Sequence, residues 1–199
     1  MKHLAWFSVL ALGFAVPSLW AQAAPGLGSH DHFEAGIFAD YYNLGRPSPH
    51  INFVGLGGRA GFNVSPRVQI EGEMAYDFKR SFTSVFSNGA SLQLVNTNLR
   101  SLHGLFGPKF ETQGPVRFFA TFKTGFVNFG TSDQTALAGF KGALGKVTRG
   151  GTSVALYPGA GVEGFLGPVG LRLDVGDEMY FDNGTHHNLR VSFGPHLRF

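Results

Sequence analysis

The chain has 199 residues, of which 29 are glycine, 21 phenylalanine and none cysteine, with a formal net charge of +3. A disulfide framework is excluded, and so small a charge gives no argument for nucleic acid as a partner. After the N-terminal segment, no stretch approaches the roughly 20 apolar residues that a membrane helix needs.

That N-terminal segment reads as a secretory signal peptide. Met1-Lys2-His3 is a short basic start, Leu4 to Val16 is mostly apolar, and Ala21-Gln22-Ala23 is a small-x-small cleavage site. Cleavage over 1–23 leaves 24–199 as a single domain.

Eight segments follow in which side chains alternate with the period of two that marks strands, and none sustains a 3.6-residue period. The first sets Phe33, Ala35, Ile37, Ala39 and Tyr41 against Glu34, Gly36, Phe38 and Asp40. The second sets Val54, Leu56, Ala60 and Phe62 against Arg59 and Asn63. In the third, Val68, Ile70, Met74, Tyr76 and Phe78 oppose Gln69, Glu71, Glu73 and Asp77. The fourth, about 98–110, has no clean face, so a bulge that switches phase partway is expected and its side-chain directions stay open. The fifth sets Val116, Phe118, Ala120, Phe122 and Phe126 against Arg117, Thr121 and Lys123. The sixth opposes Leu156, Ala160 and Val162 to Tyr157 and Glu163, and the seventh Val169, Leu171, Leu173 and Val175 to Arg172 and Asp174. The last, 188–199, puts Leu189, Val191, Phe193, Pro195, Leu197 and Phe199 opposite Arg190, Ser192, His196 and Arg198.

The connections run long, short, long, short, long, short, long: 42–53, 65–67, 79–97, 111–115, 130–152, 167–168 and 182–187. Long external loops alternating with tight periplasmic turns are the pattern of a bacterial barrel. The sequence therefore predicts an all-β fold, an eight-stranded antiparallel up-and-down transmembrane β-barrel with both termini periplasmic. Proline at 108, 158 and 195 removes a ladder hydrogen bond, which places these residues at bulges or strand ends.

The charged faces decide which way the barrel is turned. Glu34, Asp40, Arg59, Glu71, Glu73, Asp77, Arg117, Lys123, Glu163, Arg172, Asp174, Arg190 and Arg198 are too many charges for the greasy interior of a soluble ligand-binding barrel. They suit a polar lumen with the apolar faces in lipid. Aromatics at Phe33, Tyr41, Tyr76, Phe78, Phe126, Phe181 and Phe199 fall where an interfacial girdle is expected. Eight strands leave room only for side chains, so the charges should pair into a plug. A large-pore porin is excluded, and a narrow or gated channel for small solutes is the alternative.

With the signal peptide, the eight alternating strands and the C-terminal run NLRVSFGPHLRF, the chain resembles the small OmpA/OmpX-like outer-membrane β-barrel family. The runs HGLFGPKF (103–110), VRFFATFKTGF (116–126) and GAGVEGFLGPVGLRLDVGDEMYF (159–181) are similar to the middle of such barrels. The resemblance implies fold and an outer-membrane location. It also implies that Val191, Phe193, Leu197 and Phe199 form the signal read by the barrel-assembly machinery. The peptidoglycan-binding domain of the larger members is not implied.

Other candidate chemistry is thin. His30-Asp31-His32 places two imidazoles on one side of an extended chain but lacks a third ligand. His186 and His187 diverge if they lie on a strand. Ser101 and His103 share a face, as a lipid A deacylase would require, but no acidic partner is evident on a neighbouring strand. Arg46, His50, Lys79, Arg80, Lys141, Lys146 and Arg149 face only Asp133 and Asp182 in the expected loops, a balance that suits lipopolysaccharide phosphates. The expectation is a non-enzymatic, cofactor-free and monomeric barrel in a structural, envelope-stabilising or surface-interaction role.

Overall fold

The computed structural model describes residues 32–45, 51–87, 92–134 and 151–199. The signal peptide, His30, Asp31, Arg46, His50, Lys141, Lys146 and Arg149 lie outside these residues. Ten strand segments account for nearly all of what is described: β1 (Phe33–Leu44), β2 (Ile51–Ser65), β3 (Val68–Ser87), β4 (Leu92–Glu111), β5 (Val116–Gln134), β6 (Gly151–Leu166), β7 (Val169–Asp177), β8 (Met179–Phe181), β9 (Thr185–His186) and β10 (Leu189–Arg198). β7 runs on into β8, and β9 into β10, which gives eight barrel strands. Each pairs antiparallel with the next, and β10 pairs with β1, so the sheet closes and leaves no edge within the barrel. At the end where the termini lie, Phe33 and Phe199 exchange backbone hydrogen bonds of 2.8 and 2.9 Å. Among the described residues no helix is long and apolar enough to cross a membrane.

Short turns sit at the terminal end. Ser65 pairs with Val68 across Pro66-Arg67, and Leu166 with Val169 across Gly167-Pro168, where Gly167 has a φ of 64°. The opposite end differs from the expected loops. The 79–97 connection is mostly paired strand, with β3 and β4 hydrogen-bonded out to Ser87 and Leu92. β2 leaves β3 at Asp77, so the hairpin projects beyond the barrel rim, joined by β5 as far as the Asn96–Gln134 pair. Outside the membrane a strand no longer separates lipid from lumen, and the alternation that marks it in the sequence fades.

The prolines are neither at bulges nor at strand ends. Pro195 pairs with Leu171 of β7 in unbroken register, while on its β1 side the pairing skips from Gly36–His196 to Ala39–Phe193 without shifting. Pro108 repeats this: it pairs with Ile70, and the β5 side skips from Phe106–Thr124 to Lys109–Thr121. Phe106-Gly107-Pro108 and Phe193-Gly194-Pro195 thus make the same break, on strands diametrically opposite in the barrel. In both, the glycine before the proline lets the next strand press in. A Cβ on Gly107 would come within 2.2 Å of the Phe122 carbonyl oxygen, and one on Gly194 within 2.0 Å of the Ile37 oxygen. Pro158 opens a third gap, between the Leu156–Met179 and Gly159–Gly176 pairs, and this separates β8 from β7.

The expected bulge exists, but not in β4. It lies in β3 between Asp77 and Arg80, where Phe78, Lys79 and Arg80 are all exposed. β4 keeps one phase from Leu99 to Glu111, with Ser101, His103, Leu105, Lys109 and Glu111 inward and Arg100, Phe106 and Phe110 outward.

Candidate functional site

The wall is apolar outside and charged inside. Ile37 is 69% exposed, Phe118 65% and Leu56 60%, within a band that also holds Val54, Met74, Phe106, Phe122, Leu171 and Phe193. A contiguous apolar surface of this kind is rare on a monomer in water and fits a wall in lipid. Val191 lies on the same outer face, with Leu197 and Phe199 exposed near its terminal edge. Phe33 and Phe199 meet there in a tilted contact at 5.1 Å between ring centroids, and Tyr76 and Phe78 lie edge to face at 6.2 Å further along the wall. Phe126 is a correction to the expected girdle: β5 runs on to Gln134, so the ring lies mid-strand over Gly104, where a Cβ would come within 2.4 Å of it.

All of the acids and bases picked out by alternation point into the lumen. Their side chains are at most 11% exposed. Alternation missed His103, Lys109, Glu111 and Glu178, which join them. Lys109 and Glu111 continue the phase of Ser101 and His103, but apolar residues on both faces of β4 hide it. Glu178 falls in the gap opposite Tyr157 and Pro158, where strand pairing lapses.

The charges form three tiers. Nearest the termini, Lys109 lies 2.8 Å from Glu111, 3.1 Å from Glu163 and 3.4 Å from Glu34, while Arg198 holds Glu34 at 3.2 Å and Arg117 bonds Glu111. Arg198 and Arg117 flank the ring of Phe165 at 3.5 and 5.2 Å. In the middle tier Lys123 sits between Glu71 (2.5 Å) and Glu73 (2.6 Å), and Arg172 joins Glu71 to Asp174. There too, Arg190 joins Asp40 (3.0 Å) to Glu73 (2.8 Å), and Arg59 donates to Ser192 at 2.7 Å and lies 3.6 Å from Asp174. Tyr157 donates to Asp174 at 2.7 Å. Aromatic faces cover the cations, with Arg59 4.2 Å from the Phe38 ring centre and Arg172 4.1 Å from that of Phe119.

The third tier centres on His103. Its Nδ1 lies 2.5 Å from Glu178 and its Nε2 2.8 Å from Asp77, which also accepts a 2.6 Å bond from Ser101. Ionised carboxylates only accept, so this geometry asks both ring nitrogens to donate, as an imidazolium does. Ser101 and His103 therefore do have acidic partners, one of them on the neighbouring β3, contrary to the sequence reading. Both nevertheless face the lumen and are fully buried, out of reach of a lipid substrate.

Above this tier the lumen holds a buried apolar layer that sequence reasoning did not foresee. Tyr42, Leu44, Ile51, Phe53, Leu99, Val127, Phe129, Ala155 and Tyr180 form one buried cluster. The signal was present in the inward phase of the first two strands, where aromatic and aliphatic residues replace charges near the loop end.

Two sequence features on the rim resolve separately. His186 is buried and bonds the Asp182 carbonyl at 2.9 Å, whereas the exposed His187 pairs with Asp177 at 2.6 Å, so the two rings diverge. Lys79 and Arg80 are exposed at the β3 bulge, with Arg100 exposed on the adjacent β4. Among the described residues none of the three meets a carboxylate.

No protein-family model matches the chain, and no curated protein matches it. Among solved structures it is similar to Neisserial surface protein A, at 14% identity over 84% of this chain and 97% of that one, with a TM-score of 0.53. It is also similar to the outer membrane protein OprG from Pseudomonas aeruginosa, at 11% identity over 85% and 96%, with a TM-score of 0.50. At these identities the likeness is one of fold, the closed eight-stranded barrel found in small outer-membrane proteins.

Proposed function

We propose that the chain is a bacterial outer-membrane barrel whose lumen does not conduct. It serves a structural or surface-interaction role, as a monomer with both termini in the periplasm and the β3–β4 hairpin outside. The observation that carries this reading is the filling inside the wall: paired charges through the middle and the buried apolar cluster around Phe53 and Phe129 at the loop end. An eight-stranded wall leaves little space beyond what those side chains fill. The apolar outer band supports placement in a bilayer, and the short terminal turns support the orientation. Planar-bilayer recording tests it. Silence is expected, and a stable single-channel step would replace this reading with that of a narrow channel.

The loop-end cations suggest what the surface contacts. Lys79, Arg80 and Arg100 stand close in sequence and pairing to the aromatic pair Tyr76 and Phe78, an arrangement suited to the phosphates of lipopolysaccharide. Arg46, Lys141, Lys146 and Arg149, outside the described residues, are proposed as further lipopolysaccharide contacts on sequence alone. Val191, Phe193, Leu197 and Phe199 are proposed as the strand that the assembly machinery reads. A lipid A-modifying activity finds no support in the buried Ser101 and His103, and mass spectrometry of lipid A from cells with and without the protein should give identical profiles.

A further inference from the structure

We propose a divalent transition-metal site in the lumen near the terminal end, formed by Glu34, Glu163 and His196. One ligand atom from each lies within 4.8 Å of the other two. Donors on a single ion with bonds of about 2.0–2.2 Å stand at most about 4.4 Å apart, so a small inward shift of these side chains completes the site. The ligands come from β1, β6 and β10, so the ion would tie together three nearby strands of one side of the wall.

His196 is the residue that makes this more than an acidic pair. It is only 4% exposed, yet among the described residues neither ring nitrogen has a hydrogen-bond partner. Its Nε2 faces Glu163 at 3.9 Å, and its ring lies edge-on to Phe165 with centroids 4.7 Å apart, which fixes its direction. Buried polar atoms are nearly always partnered, and a metal bond would satisfy one of these. One imidazole and two carboxylates suit zinc, manganese or ferrous iron better than calcium or magnesium, which prefer all-oxygen sets.

Lys109 supplies the positive charge at this position, 3.1 Å from Glu163 and 3.4 Å from Glu34. Its shortest contact, however, is with Glu111 at 2.8 Å, outside the three ligands. Lys109 can keep Glu111 while an ion takes the other two. Arg198 bonds Oε1 of Glu34, whereas Lys109 faces Oε2, which is open to an ion once Lys109 turns to Glu111. The wider charge balance favours uptake. Among the described residues nine lumen carboxylates (Glu34, Asp40, Glu71, Glu73, Asp77, Glu111, Glu163, Asp174 and Glu178) face seven lysines and arginines and the clamped His103. That leaves the lumen one positive charge short. The way in lies at the terminal end, past Arg117 and Arg198, the most exposed of the lumen cations.

Zinc titration of the refolded barrel in detergent micelles, by competition with a chromogenic chelator, tests the site. One zinc ion per chain is expected. His196→Gln and Glu163→Gln should each weaken it at least about tenfold, and Lys109→Gln should tighten it by freeing both glutamates. Cobalt substituted for zinc should show visible absorption bands that His196→Gln abolishes. Heat-modifiable gel migration confirms that each variant is folded. Undiminished binding in His196→Gln, which would place the ion at other histidines, overturns the proposal. So does the absence of binding in both the wild type and Lys109→Gln.

Discussion

Arg172 and Glu71 are bridged by two hydrogen bonds across the full width of the lumen, from strands diametrically opposite in the barrel and 101 positions apart in the chain. Neither lies open to water, and each has a second partner, Asp174 for Arg172 and Lys123 for Glu71. Removing one member strands the other's charge in a poorly hydrated interior, at a cost of about 3–5 kcal/mol. Arg172→Met and Glu71→Gln should therefore each destabilise the barrel strongly in urea unfolding from detergent micelles. The double substitution should lose less than the sum of the two. Strict additivity would show that the pair is not coupled.

How far the sequence discloses this barrel depends on contrast. Where one face meets lipid and the other meets charge, as in β1, β7, β3 up to Asp77 and β5 from Val116 to Lys123, alternation alone gives the side-chain directions. It fails in β4 because Leu99 and Leu105 point inward while Leu102 and Phe106 point outward, so both faces read as apolar. It fails again over 79–97, where the hairpin rises past the rim and neither medium imposes a period. The charge tiers were visible as a set of inward residues, but their pairing was not. Lys109, for instance, meets Glu34 and Glu163 only because strands distant in sequence close into a ring.

The paired Gly-Pro breaks at Gly107 and Gly194 should respond alike. Added Cβ atoms at both would meet backbone of the adjacent strand, which cannot swing aside as a side chain does. Gly107→Ala and Gly194→Ala are each expected to cost about 3 kcal/mol, the upper end for overpacking. Gly164→Ala, where nothing lies within 4 Å of the new atom, serves as the neutral control. Equal urea midpoints for all three would show that the close approach is not a constraint on the fold.

Lys79, Arg80 and Arg100 should act as one patch. Replacing all three with glutamine is expected to weaken binding to lipopolysaccharide micelles by roughly 3 kcal/mol at low ionic strength, at about 1 kcal/mol per cation near an anionic surface. Stability should barely change, because none of the three makes an ion pair among the described residues. The difference from wild type should shrink as salt is raised toward 1 M, where the Debye length falls to about 3 Å. A difference that persists at high salt would rule out phosphate attraction as its cause.

Phe199 separates folding from assembly. Its ring touches Phe33 at the seam and is 56% exposed, so Phe199→Ala should lower stability of the refolded barrel by only about 1 kcal/mol, the scale of a single aromatic pair. In cells the same substitution should reduce the amount of folded, heat-modifiable protein in the outer membrane several-fold, since the assembly machinery would meet a weakened terminal strand. Phe33→Ala removes the same ring contact from the other side of the seam and leaves that strand intact. If Phe33→Ala reduces membrane levels as much as Phe199→Ala does, the seam contact matters and the terminal signal does not.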